Sequence, residues 1–208
     1  MESRTIYTIA RQYGSGGREI GQKLANELNI PFYDKELIAL AAKECGISET
    51  VFEKADEKAT GSLLYSLLMG SFPFASTVSP IGGMPLNDML FFIQADIMKK
   101  AAKAGPCVIV GRCADYVLKD MEHVFNVFIH ADKLSRMERI VQEYHTDPGK
   151  AADILSKMDK QRANYYNFYT NKKWGNLENY HLTLDSSATG ISGAVELIRM
   201  AAAMKEGM

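Results

Sequence analysis

The order strand, glycine cluster, helix at the start of the chain limits the possible folds more than any other feature. Residues 5–10 alternate apolar side chains with threonine and tyrosine, as β-strands do. Three glycines end this pattern: Gly14, Gly16 and Gly17. Apolar residues then recur at a spacing of four, which indicates one helix face: Ile20, Leu24 and Leu28. Such a turn presents backbone N–H groups beside a helix N-terminus and predicts a phosphate site, although an ordinary glycine-rich turn is the alternative.

The rest of the chain continues to alternate between strand and helix patterns. Short apolar runs predict further strands at residues 30–33, 107–110, 124–129 and 180–185. Helical spacing of apolar residues predicts helices at 86–97, 134–144, 153–169 and 191–204, and another after Asp34. This alternation predicts an α/β fold with a mainly parallel sheet and helices on both of its faces.

Composition excludes several classes of function. The 208 residues, 47% of them hydrophobic, suffice for the core of one domain. The 24 basic and 25 acidic residues give a net charge of -1, so we expect no nucleic-acid partner. Three cysteines without a Cys-x-x-Cys pair favour a reducing compartment, and we expect a cytoplasmic protein. Residues 59–87 carry no charge, but Gly, Pro and Ser interrupt them too often for a membrane span.

The glycine cluster departs from the Walker A pattern Gly-x4-Gly-Lys-Ser/Thr. With Gly16 as the second glycine, Arg11 takes the place of the first glycine and Gly17 that of the lysine. Arg18 takes the place of the hydroxyl residue that would hold Mg²⁺. We expect Arg11 or Arg18 to supply the missing charge, through a guanidinium fork instead of an ammonium group. Glu19 either faces a metal or is an acid favoured by the helix dipole.

Several blocks along the chain resemble the signatures of the cytidylate kinase-like family. They are residues 11–17, 31–37, 108–115, 159–162, 165–166 and 184–187. The resemblance implies a three-layer P-loop NTPase-type fold with five parallel strands in the order 2-3-1-4-5. It also implies one domain over residues 1–208, with an NMP-binding insertion at about 35–104 and a lid at about 146–176. The implied activity is transfer of the ATP γ-phosphoryl group to CMP or dCMP with Mg²⁺.

The glycine turn and the Walker comparison give some of the candidate site residues, and the resemblance gives others, namely Asp34, Arg112, Asp185 and Ser186 by position. Those expected to act in catalysis are Arg11, Arg18, Arg112 and Arg162. Those expected to bind phosphate or nucleotide are Gly14, Ser15, Gly16, Gly17, Asp185 and Ser186. Those expected to bind the acceptor are Asp34, Arg112 and Asp115, and those expected in or near the lid are Arg136, Arg139 and Arg162. Simpler alternatives are a helix N-cap for Asp34, a turn role for Asp185, and packing for Tyr165, Tyr166 and Tyr169.

Departures from the family pattern leave the acceptor open. Lys35 stands where the family has serine, Cys113 stands where it has aspartate, and its lid motif is reduced to residues 159–162. The leading hypothesis is a nucleotide-dependent kinase acting on a small phosphate acceptor, a nucleoside monophosphate first. The alternative is a nucleotide- or phosphate-binding module without catalysis, because the Walker lysine is missing. The uncharged segment could pack on the domain, line a base pocket or form a homodimer contact.

Overall fold

The computed structural model describes residues 4–34 and 86–207, apart from the side chains of Leu86, Asn87 and Met89. The chain divides into two units, one made of Met1–Asp34 with Met98–Met208 and the other of Lys35–Ile97. The predicted helix after Asp34, most of the predicted NMP-binding insertion and residues 59–85 lie outside the described residues. The predicted insertion and lid boundaries therefore stay predictions. All the candidate site residues belong to the first unit.

The strands of the described residues form one parallel sheet in the predicted order, β2-β3-β1-β4-β5. They are β1 (Ile6–Arg11), β2 (Phe32–Tyr33), β3 (Cys107–Val110), β4 (Val124–His130) and β5 (Leu182–Asp185). Arg11 lies level with Ile129, and His130 lies level with Asp185. Because parallel strands share their direction, these carboxyl ends meet along one edge of the sheet, where open α/β folds bind ligands.

Helices connect the strands, as the alternating pattern predicts. They are α1 (Gly17–Leu28), α2 (Leu86–Ala104), α3 (Ala114–Val117), α4 (Lys133–Tyr144), α5 (Ala151–Thr170) and α6 (Ser186–Glu206). Two 3₁₀ turns add to them, Pro148–Lys150 and Leu177–Asn179. Among these helices, none combines the length and apolar character that a bilayer crossing needs.

One face of the sheet packs against α1 and α6 in a continuous apolar core. The stripe predicted from residues at a spacing of four supplies Ile20 and Leu24, which are fully buried. Ile198 of α6 meets them over Ile9 and Val127 of the sheet. Burial of each such side chain stabilises the fold by about 1.5–3 kcal/mol. This core fixes the start of α1, and hence the glycine turn, against the carboxyl end of β1.

Two helices differ from the expectation. The last helix begins at Ser186, earlier than the predicted start at Ile191, because Asp185 caps it by accepting a hydrogen bond from Ser187 N. Gly190, with φ 65° and ψ 175°, kinks this helix and interrupts the apolar spacing that the sequence pattern depends on. The short helix α3 was not predicted, since one turn is too short to show periodicity.

Candidate functional site

The glycine turn holds a row of backbone N–H groups open at the start of α1. Gly14 and Gly16 adopt left-handed backbone angles, with φ of 76° and 73°. The N–H of Tyr13 donates to Asp159 Oδ1 at 2.7 Å, and that of Ser15 donates to the Gln12 carbonyl at 3.4 Å. Within the described chain, the N–H groups of five residues donate to no protein acceptor: Gly14, Gly16, Gly17, Arg18 and Glu19. Open donors beside the positive end of a helix favour an anion.

Side chains close to the turn are bonded to its backbone, which fixes its shape. The Ser15 hydroxyl donates to the Gln12 carbonyl at 2.9 Å, and Ser15 is buried. The Ser186 hydroxyl lies 2.6 Å from the Ser15 carbonyl and 3.1 Å from the His130 carbonyl. Both serines are predicted to contact phosphate, but their hydroxyl groups are hydrogen-bonded to backbone carbonyls of the turn and of His130. The groups that remain available to an anion are backbone N–H groups.

Arg136 and Asp159 brace the turn from α4 and α5. Arg136 Nη1 lies 2.5 Å from Asp159 Oδ2 and 3.3 Å from the Tyr13 carbonyl oxygen. Asp159 also accepts the Tyr13 N–H, so both peptide groups of Tyr13 are held. Arg136, predicted as a lid arginine, here joins two helices to the turn. Asp159 received no role from the sequence, because its partners are distant in the chain.

Two arginines contact the carboxylate of Asp34 at the end of β2, and two more lie close to Arg11. Arg18 Nε donates to Asp34 Oδ2 at 2.6 Å, and Arg11 Nη2 lies 3.7 Å from Asp34 Oδ1. The Arg11 guanidinium also occupies the space of a Cβ on Gly111, so it lies against the turn that carries Arg112. Arg162 donates to the Arg11 carbonyl oxygen at 3.0 Å and lies over the Tyr13 ring, 5.3 Å from its centroid. The structure thus brings the four predicted catalytic arginines together.

Burial makes this cluster of positive charge costly without an anion. Burial, followed by the charge of the Arg162 guanidinium, lowers the pKa of Arg11 to about 9, although Asp34 opposes both. Burial also lowers the pKa values of Arg112 and Arg162. All three guanidiniums remain charged at neutral pH, because guanidinium begins from a pKa near 12.5. Asp34 opposes the effect of burial for all three and Asp159 opposes it for Arg162, and a bound anion would favour the charged forms in the same way.

The turn after β3 places Arg112 in this cluster at a conformational cost. Gly111, Arg112 and Cys113 have φ of 81°, 55° and 56°, three left-handed residues in succession. Each non-glycine residue in this region costs roughly 1 kcal/mol. Tyr165 forms a side-chain hydrogen bond with Arg112 and helps to hold it. Strain of this kind is concentrated at functional sites, where surrounding contacts maintain it.

A separate pocket of about 210 Å³ lies on the other side of the turn, toward β4 and β5. Gly14, Ser186 and Arg139 border it, together with other residues of α4. Arg139 Nη1 pairs with Glu19 Oε2 at 2.7 Å. Glu19, for which the sequence leaves a metal role open, thus has an arginine partner. Asp185 lies next to Ser186 as the cap of α6, and its bond to Ser187 lowers its pKa.

Asp115, which is predicted to bind the phosphate acceptor, has its hydrogen-bond partner away from the arginine cluster. Its carboxylate is buried and accepts a hydrogen bond from the Tyr166 hydroxyl at 2.6 Å. Burial raises the pKa of Asp115, although the bond from Tyr166 opposes this. Tyr166 is buried between α5 and α3, as the packing alternative for the tyrosines expects. An acceptor role for Asp115 stays a prediction.

A Mg²⁺ site made by protein side chains needs several oxygen ligands close together. The described residues contain no group of three or more His, Cys, Asp or Glu side chains placed to hold a metal ion. Arg18 stands at the Walker hydroxyl position, and Glu19 is paired with Arg139. The side chains of the described residues therefore do not fit a metal site of their own.

Comparisons with known proteins agree with this geometry. A family model described as "Cytidylate kinase-like family" matches residues 6–188. A cytidylate kinase of Methanococcus vannielii is 28% identical over 104 residues, 49% of this chain and 60% of the relative, so the chain spans less than two thirds of its length.

Solved structures show the same fold over most of the chain. An uncharacterised protein from Eubacterium ventriosum is 27% identical, with a TM-score of 0.68 and coverage of 94% of this chain and 96% of that one. A shikimate kinase from Bacteroides thetaiotaomicron is 14% identical, with a TM-score of 0.53 and coverage of 94% and 96%. A gluconokinase from Sinorhizobium meliloti is 14% identical, with a TM-score of 0.52 and coverage of 98% and 94%.

Proposed function

The chain belongs to the cytidylate kinase-like family, and from this premise we propose that it is a kinase that transfers the ATP γ-phosphoryl group to a small phosphate acceptor. A nucleoside monophosphate such as CMP or dCMP is the first candidate acceptor, as in the name of the curated relative. The observation that carries the proposal is the set of open N–H groups of Gly14 and of residues 16–19 next to the arginine cluster. Phosphoryl transfer requires positioning and positive charge more than any covalent chemistry from the protein.

The open N–H groups would hold the phosphates of the donor. A nest of amides at a helix N-terminus binds phosphate without any side-chain charge. The left-handed angles of Gly14 and Gly16 leave no room for side chains, since a Cβ on Gly14 would lie 2.8 Å from the Arg136 carbonyl oxygen. The pocket toward β4 and β5 adjoins Gly14 and offers space for the rest of the donor. Bound ATP supplies the γ-phosphoryl group.

The arginine cluster would hold the acceptor phosphate and stabilise the transition state. Arg112 lies at the carboxyl end of β3, where its guanidinium can bind two phosphate oxygens as a fork. Arg162 reaches from α5 to the carbonyl of Arg11, between the glycine turn and the cluster. An oxygen of the acceptor phosphate attacks the γ-phosphorus, the bond to the β-phosphate oxygen breaks, and ADP leaves. Guanidiniums around the transferring group compensate its negative charge, and their burial strengthens this effect.

A coupled assay that follows ADP formation tests the proposal. The acceptors would be CMP, dCMP, UMP, AMP, shikimate and gluconate, each with ATP and MgCl₂. We expect turnover with at least one monophosphate, and a loss of about 100-fold or more in kcat/KM in Arg112→Ala. Arg199→Ala is the matched control, because Arg199 pairs with Glu27 at 3.4 Å on the surface and takes no part in the cluster.

Three outcomes distinguish the functions considered. Turnover that depends on Arg112 supports the kinase. Saturable ATP binding measured by calorimetry, with no transfer to any acceptor, indicates instead a non-catalytic nucleotide-binding module. Transfer that is unchanged in Arg112→Ala contradicts the role of the arginine cluster.

A further inference from the structure

We infer that Arg11 and Arg18, which stand at Walker positions of the donor loop, bind the acceptor phosphate, and that Arg139 of α4 supplies the side-chain charge on the donor side. The inference rests on the proposed kinase function and assigns its arginines to two substrates. It reverses the expectation from the sequence, in which Arg11 or Arg18 replaces the lysine that contacts the donor. Three independent contacts carry it.

The first contact fixes the direction of Arg11. Its Nη1 atom lies only 2.0 Å from the position that a Cβ on Gly111 would occupy, so the guanidinium lies directly on the turn after β3. Its Nη2 atom lies 3.7 Å from Asp34 at the end of β2. In the sheet, β3 and β2 lie on one side of β1, whereas β4 and β5 lie on the other. Arg11 therefore extends away from the pocket bordered by β5 and α4.

The second contact gives Arg18 the same direction. Its Nε atom donates to Asp34 Oδ2 at 2.6 Å, and its guanidinium carbon lies 5.9 Å from the centre of the Phe32 ring in β2. Arg18 begins at the first turn of α1, directly beside the open N–H groups. Its backbone thus faces the proposed donor phosphates, whereas its side chain extends toward β2 and meets Arg11 at Asp34.

The third contact places another arginine over the glycine turn. The guanidinium carbon of Arg139 lies 3.3 Å from the position of a Cβ on Gly16, and its Nε atom lies 3.4 Å from the same point. Arg139 borders the pocket toward β4 and β5, and its Nη1 atom pairs with Glu19 in the first turn of α1. Its charge lies beside the open N–H groups of Gly16 and Gly17, where the donor phosphates are proposed to bind.

Positive charge beside both the donor and the acceptor phosphates explains how the glycine turn can act without a lysine. The donor phosphates would receive backbone N–H groups from the turn and a guanidinium from α4. The acceptor phosphate would receive the guanidiniums of Arg11 and Arg18, which now share the Asp34 carboxylate, and that of Arg112 from the turn that Arg11 lies against. A phosphate dianion presents more charge and more acceptor oxygens than that carboxylate, so it can bind several guanidinium forks at once.

Separate affinities for the two substrates test the assignment. We would measure AMP-PNP and CMP binding by calorimetry, and both KM values with the acceptor that the assay above identifies. In Arg18→Ala we expect about tenfold weaker acceptor binding and an AMP-PNP affinity within twofold of the wild type. In Arg139→Ala we expect the opposite pattern. Arg11→Lys keeps the charge of a mostly buried residue but loses the fork, and we expect it to weaken acceptor binding alone.

Controls and contrary results are separable. Arg199→Ala should change neither affinity, and thermal melts identify any variant that fails to fold. If Arg18→Ala weakens AMP-PNP binding and spares the acceptor, the assignment is wrong although the kinase proposal stands. If AMP-PNP binds but no monophosphate does, the assignment of Arg11 and Arg18 to the acceptor phosphate is wrong. If neither ligand binds the wild-type protein, the proposed function itself fails.

Discussion

The two halves of the carboxyl edge of the sheet bind charge by different means. Toward β4 and β5, the glycine turn offers backbone N–H groups, and nearby serine hydroxyls are bonded to the turn or to the α6 cap. Toward β3 and β2, Arg11 and Arg18 pair with Asp34, Arg11 also lies against the turn that carries Arg112, and Arg162 donates to the Arg11 carbonyl oxygen. We call these the donor half and the acceptor half. The donor half depends on backbone conformation, and the acceptor half depends on side-chain identity.

This difference explains how the glycine turn can bind phosphate in the proposed kinase without a Walker lysine. Backbone amides in the donor half need only glycines at the positions with positive φ, and Gly14 and Gly16 meet that need. The positions where the motif requires a first glycine and a hydroxyl hold Arg11 and Arg18, whose side chains extend into the neighbouring half. In the proposed kinase, specificity for the acceptor would rest on arginines that depart from the Walker motif.

The largest effect is expected from Gly14→Ala, which disrupts the donor half. The new Cβ would lie 2.8 Å from the Arg136 carbonyl oxygen and 3.0 Å from Ile140, on a residue with φ of 76°. Since backbone cannot yield as a flexible side chain does, the turn and α4 must separate. We expect a loss of about 100-fold in kcat/KM for ATP and a free energy of unfolding lowered by roughly 2 kcal/mol. Steady-state kinetics and urea unfolding measure the two.

Gly175→Ala is the matched control for that change. Gly175 has φ of 73°, but its nearest neighbour to a new Cβ is Phe128 at an ordinary 3.5 Å. Gly175→Ala shares the backbone strain without the clash. We expect its free energy of unfolding to fall by about 1 kcal/mol, with the KM values for ATP and for the acceptor unchanged. If Gly14→Ala proves no worse than Gly175→Ala, the donor half does not depend on close packing of the turn against α4.

A smaller effect, confined to the acceptor half, is expected from Gly111→Ala. Its Cβ would occupy the space of Arg11 Nη1 and force that flexible side chain to move. We expect about tenfold weaker CMP binding and an AMP-PNP affinity near that of the wild type. In a double-mutant cycle with Arg11→Ala, the second change should add little, because both remove the same guanidinium from the cluster. Additive losses would place Arg11 elsewhere during binding.

The smallest effect on either ligand is expected from Asp115→Asn, which lies outside both halves. Burial raises the pKa of this carboxyl above its unfolded value. Its contribution to stability is therefore complete below the unfolded pKa and is lost as the pH rises through the folded pKa. The variant should gain stability relative to the wild type as the pH rises above about 4, as measured by urea unfolding. A tenfold rise in acceptor KM would instead place Asp115 in the acceptor half.

The sequence predicts the fold better than it predicts the assignment of side chains. Apolar runs such as 107–110 and the spacing of Ile20 and Leu24 reflect burial, which decides both the sequence pattern and the structure. The glycine turn follows for a similar reason, because positive φ restricts residue choice. The start of α6 does not follow from spacing, because Gly190 interrupts the periodicity.

The sequence pattern does not reveal contacts between residues that are far apart in the chain. Asp159 binds Tyr13 and Arg136, and Tyr165 binds Arg112, through distances set only by the folded sheet and helices. The Walker comparison gives Arg11 and Arg18 as candidates and the resemblance gives Arg112, but neither shows toward which half each side chain extends. A side chain of arginine is long enough to reach either half from β1 or α1. Direction follows only from neighbours such as Gly111 and Asp34.

The central claim is that the N–H groups of Gly14 and of residues 16–19 are open to a phosphate. Amide proton shifts in ¹⁵N-labelled protein, titrated with AMP-PNP, test it most directly. We expect large downfield shifts for Gly16, Gly17 and Arg18, with Gly175 and Gly190 unchanged. Saturable binding of AMP-PNP that leaves the amides of the glycine turn unshifted would contradict the claim.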